Sequence, residues 1–576
     1  MSPLFERLRS VASTPGVRLV ERRIDAPGEQ RSLAALYAEA AALGERWRAE
    51  HGDLRGRAVL LALPSGLDWV RAFLAVLSEG GVAVPLSRMA ASPEVAYLAA
   101  DSGAELAVSG GELEALVPPG LARLSLELAP LEQAASAQER LGARSAEGRL
   151  LLYTSGTTGK PKGVPIGSAQ LAAQTEALRE AWAFTESDVL LHTLPLHHLH
   201  GIVVALLTAL SAPCSVTLLE RFSPDGVLSE LHEASVWMSV PTMLERLTER
   251  VEALPEPERA SASAKLAGLR LVTSGSAALP VSLARRWSAL AGAIPLERYG
   301  MTEIGMALSN PLEAKERVLG SVGRPLPGVE LRIVDDGGVD VEGPGELWVR
   351  GPSVFSGYHG RDDASREAFV EGWFRTGDVG VRDERGAIRL LGRTSVDILK
   401  SGGEKLSALE IEEVLREHPE LAEVAVIGLP DPTWGDRVVA VVVPWPRARA
   451  RGAPGSRPGP PRGLQSAERS GVSGRAPTQR HGQGAEARAH REARARAREG
   501  LSAGARRAHA EGASGGPAPP PEIGPTGSAS GTAADHDAPS GLLHLAHGGS
   551  ASLAGARARA RSRGLAPRAQ AAASER

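Results

Sequence analysis

The stretch that decides the fold runs from Leu151 to Ile166 and reads LLYTSGTTGKPKGVPI. Leu151, Leu152 and Tyr153 form a short apolar run that predicts the end of a buried strand, and a second apolar stretch surrounds Pro165. Between them Ser155, Thr157 and Thr158 supply hydroxyl donors, while Lys160 and Lys162 supply positive charge. Gly156, Gly159 and Gly163 free the backbone for positive φ and close approach. Hydroxyl, amide and ammonium groups all donate to phosphate oxygens, so the loop suits a polyphosphate. It is not a Walker loop. Gly159-Lys160 comes two residues too soon after Gly156, and Pro161 stands where Ser or Thr would follow the lysine. A Gly/Thr-rich surface turn is the plainer account, and so many donors directly after a strand argue against it.

Outward from this loop, the first 145 residues or so alternate helical and extended patterns. Ser32 to His51 has helical spacing, Ala58 to Leu63 reads as a buried strand, Leu67 to Glu79 as a helix and Gly81 to Pro85 as a short strand. This alternation predicts a largely parallel sheet with helices on its faces, the α/β class. Ser168 is the expected N-cap of a helix reaching Phe184, and Asp188 to Leu194 a strand delivering Pro195-Leu-His-His-Leu-His-Gly201. The histidines raise a metal reading, but no Cys or carboxylate nearby completes a ligand set. His198 and His200 can instead offer hydrogen bonds or positive charge to a small polar acid. Val236 to Thr242 and Leu269 to Pro280 read as two further strand–loop units.

Composition narrows the partners. Hydrophobic residues make up 43% of 576 residues, enough for a large core and more than one domain. The single Cys214 excludes a disulfide framework and points to a reducing, cytoplasmic setting. No run of about eighteen apolar residues appears, so no membrane partner is expected. The net charge of −3 hides a division: 21 arginines but only nine acids follow Pro446, which leaves the body acidic and argues against nucleic acid as its partner.

The loop resembles the phosphate loop of the adenylate-forming superfamily, which includes acyl-CoA synthetases, luciferases and peptide-synthetase adenylation domains. Three later segments extend the resemblance: Glu297-Arg-Tyr-Gly-Met-Thr-Glu303, Gly372-Trp-Phe-Arg-Thr-Gly-Asp378 and Leu391-Gly-Arg-Thr-Ser-Val-Asp-Ile-Leu-Lys-Ser-Gly-Gly403. It implies a large N-terminal domain of stacked mixed sheets with helices over residues 1–392 and a small α+β domain, here incomplete, over 393–446. It also implies ATP, Mg²⁺ and CoA as co-substrates and cofactor. Thr154, Ser155, Gly156, Thr157, Thr158, Gly159 and Lys160 would hold the phosphates. Ser274, Gly275, Ser276, Tyr299 and Gly300 would surround adenine, with Tyr299 stacking and Gly300 allowing close approach. Asp378 would take the ribose hydroxyls and Arg393 the ribose or a phosphate. Thr302 would reach the α-phosphate, and Glu303, a hard oxygen ligand, would hold Mg²⁺. Two residues past Arg393 the family pivots its small domain; with one residue more than the usual spacing here, Ser395 and Val396 both qualify.

The residues before Tyr299 select the acid. Arg298, in the run Glu297 to Ser309, closely resembles the malonyl-CoA synthetases. Its guanidinium can grip a second carboxylate through two parallel hydrogen bonds, with Arg246 a second clamp and His198 and His200 walling the pocket. A structural ion pair of Arg298 with Glu297 or Glu303 is the competing account. The implied reaction joins malonate to CoA through an acyl-adenylate, releasing pyrophosphate and AMP; methylmalonate also fits. A ligase for another short or aryl acid, or a crippled nucleotide-binding remnant, are the alternatives.

From residue 447 to 576 the text is rich in Arg, Ala, Gly and Pro without hydrophobic periodicity, which predicts a disordered tail. The resembled family ends instead in Pro-Arg-x-x-x-Gly-Lys, whose lysine serves the adenylation step. No lysine follows Lys405 here. The tail reads either as a basic arm or as an out-of-frame translation of GC-rich coding sequence, and the abrupt loss of pattern near Val443 favours the latter.

Overall fold

A strand covered on both faces must be apolar throughout, and all five residues of Ala58–Ala62 (AVLLA) are buried. The computed structural model of the chain describes residues 1–23, 28–128, 138–154, 160–418 and 420–444. Ser155, Gly156, Thr157, Thr158 and Gly159, and the segment from 447 onward with its two readings, lie outside the described residues.

Among the described residues the chain forms four sheets. Ala58–Ala62 is central to a six-stranded sheet in the order Ala122–Arg123, Leu106–Ser109, Ala58–Ala62, Val82–Pro85, Arg149–Thr154, Lys162–Gly167. Every pair is parallel except the last, which carries the phosphate loop as a hairpin from Thr154 to Lys162. A nine-stranded sheet is parallel from Leu296–Met301 through Leu271–Ser274, Val236–Ser239, Val189–His192 and Ser215–Leu219 to Arg18–Arg22. Antiparallel strands close its edges, Gly305–Ser309 with Arg324–Pro325 on one side and Gln30–Ser32 on the other. The expected parallel α/β core is therefore present.

One apolar cluster spans both sheets and takes in Trp47, Trp69, Trp182, Trp237 and Trp287, each at most 1% exposed. Indole rings bury large areas, and this cluster makes the two sheets and their helices one body. Helix Leu33–His51 starts where Ser32 Oγ accepts the Ala35 N–H at 3.2 Å. The cap expected of Ser168 is not formed. Helix Ser168–Ala181 begins after Gly167, and Ser168 Oγ donates to the Ser145 and Gly148 carbonyls, tying the helix to the chain before the phosphate loop. His200–Leu207 is an entirely buried π-helical segment that carries His200.

A five-stranded antiparallel sheet follows, in which Trp373–Arg382 lies between Gly345–Arg350 and Ile388–Arg393. Beyond it Ile398–Ser401, Glu404–Ser407, Leu421–Asp431 and Gly435–Pro444 make a small sheet with helix Ala408–Arg416 on one face. The chain thus has a large α/β body and a smaller C-terminal unit. Glu413 Oε1 accepts the Val281 N–H at 2.9 Å, Lys405 pairs with Asp336 and Arg389 with Glu410 across the junction. Both pivot candidates, Ser395 and Val396, sit in a turn that Asp397 closes by accepting the Arg393 N–H at 2.9 Å. Among the described residues no helix is long and apolar enough to cross a membrane.

Candidate active site

Arg298 enters the core from strand Leu296–Met301 and is 3% exposed. Its Nη2 lies 2.6 Å from His200 Nε2 and 2.7 Å from Nδ1. Its Nε has no partner, and no carboxylate pairs with it among the described residues. The neighbouring strand places Ser274 opposite Glu297 and Thr273 opposite Leu296, and the buried hydroxyls of Ser274 and Thr273 also lack partners. Successive residues of a strand face opposite sides, so Thr273 shares the face of Arg298 and Ser274 that of Glu297; an unpaired buried donor such as Arg298 Nε is costly, and an anion would satisfy it. Burial pulls the Arg298 guanidinium down to about 9. Burial, and then the Arg298 charge, holds the His200 imidazole well below its usual range, so the ring is neutral. His200 thus offers hydrogen bonding and not the positive charge that the sequence also allowed.

The competing ion pair is not formed. Glu297 Oε1 accepts the Gly320 N–H at 3.3 Å, and Glu303 Oε1 accepts the Tyr358 hydroxyl at 3.1 Å. Arg246 does not act as a second clamp in this structure: its guanidinium stacks over the Phe222 ring, 5.3 Å from its centre. His198 packs against His197 with ring centres 4.2 Å apart, and burial holds it at about 4.

Several of the residues expected to serve a nucleotide gather around Asp378 and Glu303. Asp378 faces Arg393 across paired strands; Arg393 Nε donates to Oδ1 at 2.8 Å and the Tyr299 hydroxyl to Oδ2 at 2.7 Å. Arg393 is therefore committed to Asp378, which raises the guanidinium's affinity for its proton against the burial that opposes it. The Tyr299 ring is only 8% exposed and belongs to the core cluster, so its hydroxyl orients a carboxylate while most of the ring is packed. Gly300 is glycine for an internal reason: a Cβ there would stand 2.1 Å from the Gly305 carbonyl oxygen, where the hairpin register shifts. The close approach seen here is to its own hairpin.

Glu303 is 5% exposed, and burial raises its carboxyl while the Tyr358 hydrogen bond opposes the rise. Such a carboxylate, held by one phenol, fits a hard-cation ligand completed by phosphate oxygens and water. Thr302 lines a small cleft with Ile166, Gln170, Gln174, Leu199, Val203, Gly305 and Ser353. At the phosphate hairpin Lys162 lies 4.9 Å over the Tyr358 ring and Lys160 5.8 Å over Tyr97. Thr154 pairs with Lys162 at the loop end of the hairpin. Asp101 braces both arms, taking the Tyr153 hydroxyl at 3.0 Å and that of Tyr97, which also bonds the Pro161 carbonyl. Ser276, in the loop beyond Gly275, has a φ of 69° and is exposed.

The family of AMP-binding enzymes matches residues 9–359, and its C-terminal domain matches residues 410–453. The chain belongs to the AMP-binding enzymes. Within this family it is 43% identical over 431 residues to the mitochondrial malonate–CoA ligase of Mus musculus, covering 68% of this chain and 73% of that one. It is 38% identical to the malonate–CoA ligase of Arabidopsis thaliana, covering 71% of each. Among solved structures, ATP-bound MatB from Rhodopseudomonas palustris superposes with a TM-score of 0.67 at 34% identity, covering 78% of this chain and 90% of that one. A malonyl-CoA ligase in complex with methylmalonyl-CoA and AMP gives 0.57 at 38% identity, covering 77% and 93%.

Sequence reasoning passed over Tyr358, Gln174, Asp101 and Gly305. Tyr358 lies in Phe355-Ser-Gly-Tyr358, which has no charge or periodicity to flag it, and it meets Glu303 only in space.

Proposed function

We propose that this AMP-binding enzyme joins a short dicarboxylic acid, malonate or methylmalonate, to CoA through an acyl-adenylate. The observation that carries the reading is Arg298, a buried guanidinium with no carboxylate partner among the described residues, its Nε unsatisfied and its Nη2 against the neutral His200 ring. An acid with a second carboxylate supplies the missing anion, and a monoacid leaves the guanidinium unpaired. The malonate–CoA ligase relatives favour the same substrate class.

The free carboxylate of the bound acid attacks the α-phosphorus of ATP. An oxygen–phosphorus bond forms, the bond to the bridging oxygen breaks, and pyrophosphate leaves. Arg298 holds the far carboxylate so that the near one points to the nucleotide, an orienting effect that removes much of the entropic barrier. Asp378, fixed by Tyr299 and Arg393, binds the ribose hydroxyls, and Thr302 hydrogen-bonds the α-phosphate. Glu303 would hold Mg²⁺, which neutralises phosphate charge when bound. In the second step the CoA thiol loses its proton, sulfur bonds to the carbonyl carbon and AMP leaves.

Residues 1–392 act as the adenylating domain and 393–446 as the mobile one in this reading. Residues 406–576 hold no lysine, so none of them supplies the ammonium that the family uses in the first half-reaction. The test is pyrophosphate release with malonate, methylmalonate, propionate and 4-coumarate, followed by thioester formation from synthetic malonyl-adenylate. Pyrophosphate release driven by malonate supports the reading. Equal response to propionate overturns it, and nucleotide binding without turnover of any acid or adenylate establishes the remnant.

A further inference from the structure

Gln174 lies on helix Ser168–Ala181, only 3% exposed, and the reaction above gives it no part. A buried primary amide needs partners for both ends. Here both ends go to the backbone of one residue: Oε1 accepts the Met306 N–H at 2.5 Å, and Nε2 donates to the Met306 carbonyl at 3.5 Å. The reason lies in the sheet. Strand Gly305–Ser309 has a neighbour on its outer side only from Leu308 onward, where Arg324–Pro325 pairs with it. Met306 is itself 3% exposed, so its N–H and carbonyl would face the interior unpaired without Gln174. The side chain therefore stands in for a missing strand.

Gly305 is shaped to the same contact. Its φ is 69°, and a Cβ there would stand 1.8 Å from Gln174 Oε1. The turn just before it carries Thr302 and Glu303. The far side of that turn is pinned by the Phe355 N–H on the Glu303 carbonyl, at 2.8 Å, and by Ser353 Oγ on the Ile304 carbonyl, at 3.1 Å. Gln174 holds its exit. Helix Ser168–Ala181 continues directly from Lys162–Gly167, the return strand of the phosphate hairpin. One continuous rigid run thus joins the phosphate hairpin to the Thr302–Glu303 turn.

We propose that Gln174 is a positioning residue: by pairing the Met306 backbone it sets the Thr302–Glu303 turn at a fixed distance from the phosphate hairpin, and so governs how MgATP is held. The inference rests on the nucleotide roles given to those two residues above. It needs no particular acid.

The experiment compares the full chain with Gln174→Met, which keeps length and apolarity but cannot accept or donate, and with Gly305→Ala, which displaces the amide while leaving residue 174 intact. Amide exchange is followed on the peptide spanning residues 302–309, MgATP binding by calorimetry, and melting without ligand. Both variants are expected to exchange the Met306 amide at least about tenfold faster and to bind MgATP about tenfold more weakly. Exchange in the Ala58–Ala62 strand stays at the native level in both. Unchanged Met306 exchange in Gln174→Met overturns the clamp. Faster exchange with native MgATP affinity in both variants reduces Gln174 to a structural residue and overturns the positioning role. A native chain that binds no MgATP overturns the nucleotide reading itself, a result distinct from equal binding by native and variant chains.

Discussion

Gly275 and Arg298 occupy adjacent strand ends so closely that a Cβ on residue 275 would stand 1.7 Å from Arg298 Nη1. The Gly275 backbone is not left-handed, so space alone excludes a side chain there. The guanidinium lies across the space a side chain would fill, between the donor-rich loop and His200. The absence of a side chain at Gly275 thus makes room for the Arg298 guanidinium.

Gly275→Ala is accordingly expected to dislodge Arg298 and raise the KM for malonate about tenfold or more, with MgATP affinity within about twofold of native. Steady-state kinetics with each substrate varied separately, alongside calorimetry with MgATP, check this. A rise in both constants together would point to a general disruption.

Arg298→Met removes the anion site while keeping most of the apolar stem. The ratio of kcat/KM for malonate over propionate should fall about a hundredfold, the scale at which a site built for a polar group rejects a substrate lacking it. Arg298→Lys should recover only part of the preference, since an ammonium cannot make two parallel bonds to a carboxylate. Pyrophosphate release with each acid is the measurement.

Asp378→Asn keeps the shape but removes the charge that Arg393 Nε meets at 2.8 Å and the Tyr299 hydroxyl at 2.7 Å. Charged hydrogen bonds contribute more than neutral ones, so MgATP should bind about 10- to 100-fold more weakly. The acid preference should stay at its native ratio. Nucleotide titrations and the malonate-to-propionate ratio separate the two effects.

Glu297, beside Arg298 in sequence, gives a pH test. Burial first, and the nearby Glu413 charge further, push its carboxyl up to about 8, against the Gly320 hydrogen bond. The folded chain therefore keeps a proton that the unfolded chain releases near its ordinary value, so between those limits the unfolded state binds fewer protons. This group's contribution to stability falls as pH rises through that window, by up to about 1.4 kcal/mol per pH unit. Glu297→Gln keeps an oxygen for the Gly320 N–H and never ionises. Denaturant titrations from pH 5.5 to 8 should show the variant gaining on the native chain toward the alkaline end. Parallel curves would sink the assignment.

Much of the fold was legible because it is written in neighbours along the chain. The buried strand at Ala58–Ala62, the helix over Leu33–His51 and the strand that ends at Thr154 all follow from local period. Ser168 misled because a serine before a helical pattern looks like a cap whether or not its hydroxyl turns back; here it reaches Ser145 and Gly148 instead. The π-helix His200–Leu207 drew no assignment from the sequence, because apolar residues between two strands carry no periodic mark of it.

The candidate site divides in the same way. Sequence alone determined the nucleotide-binding class and singled out Arg298, Glu303, Asp378 and Arg393, because each stands in a short contiguous motif. Only the tertiary structure decided that Arg298 is unpaired, that His200 is its neighbour, that Arg246 stacks on Phe222, and that Tyr358 and Gln174 hold Glu303 and its turn. These contacts join residues far apart in the chain. Whether a buried charge already has a partner depends on how strands lie side by side, which no spacing along one strand records.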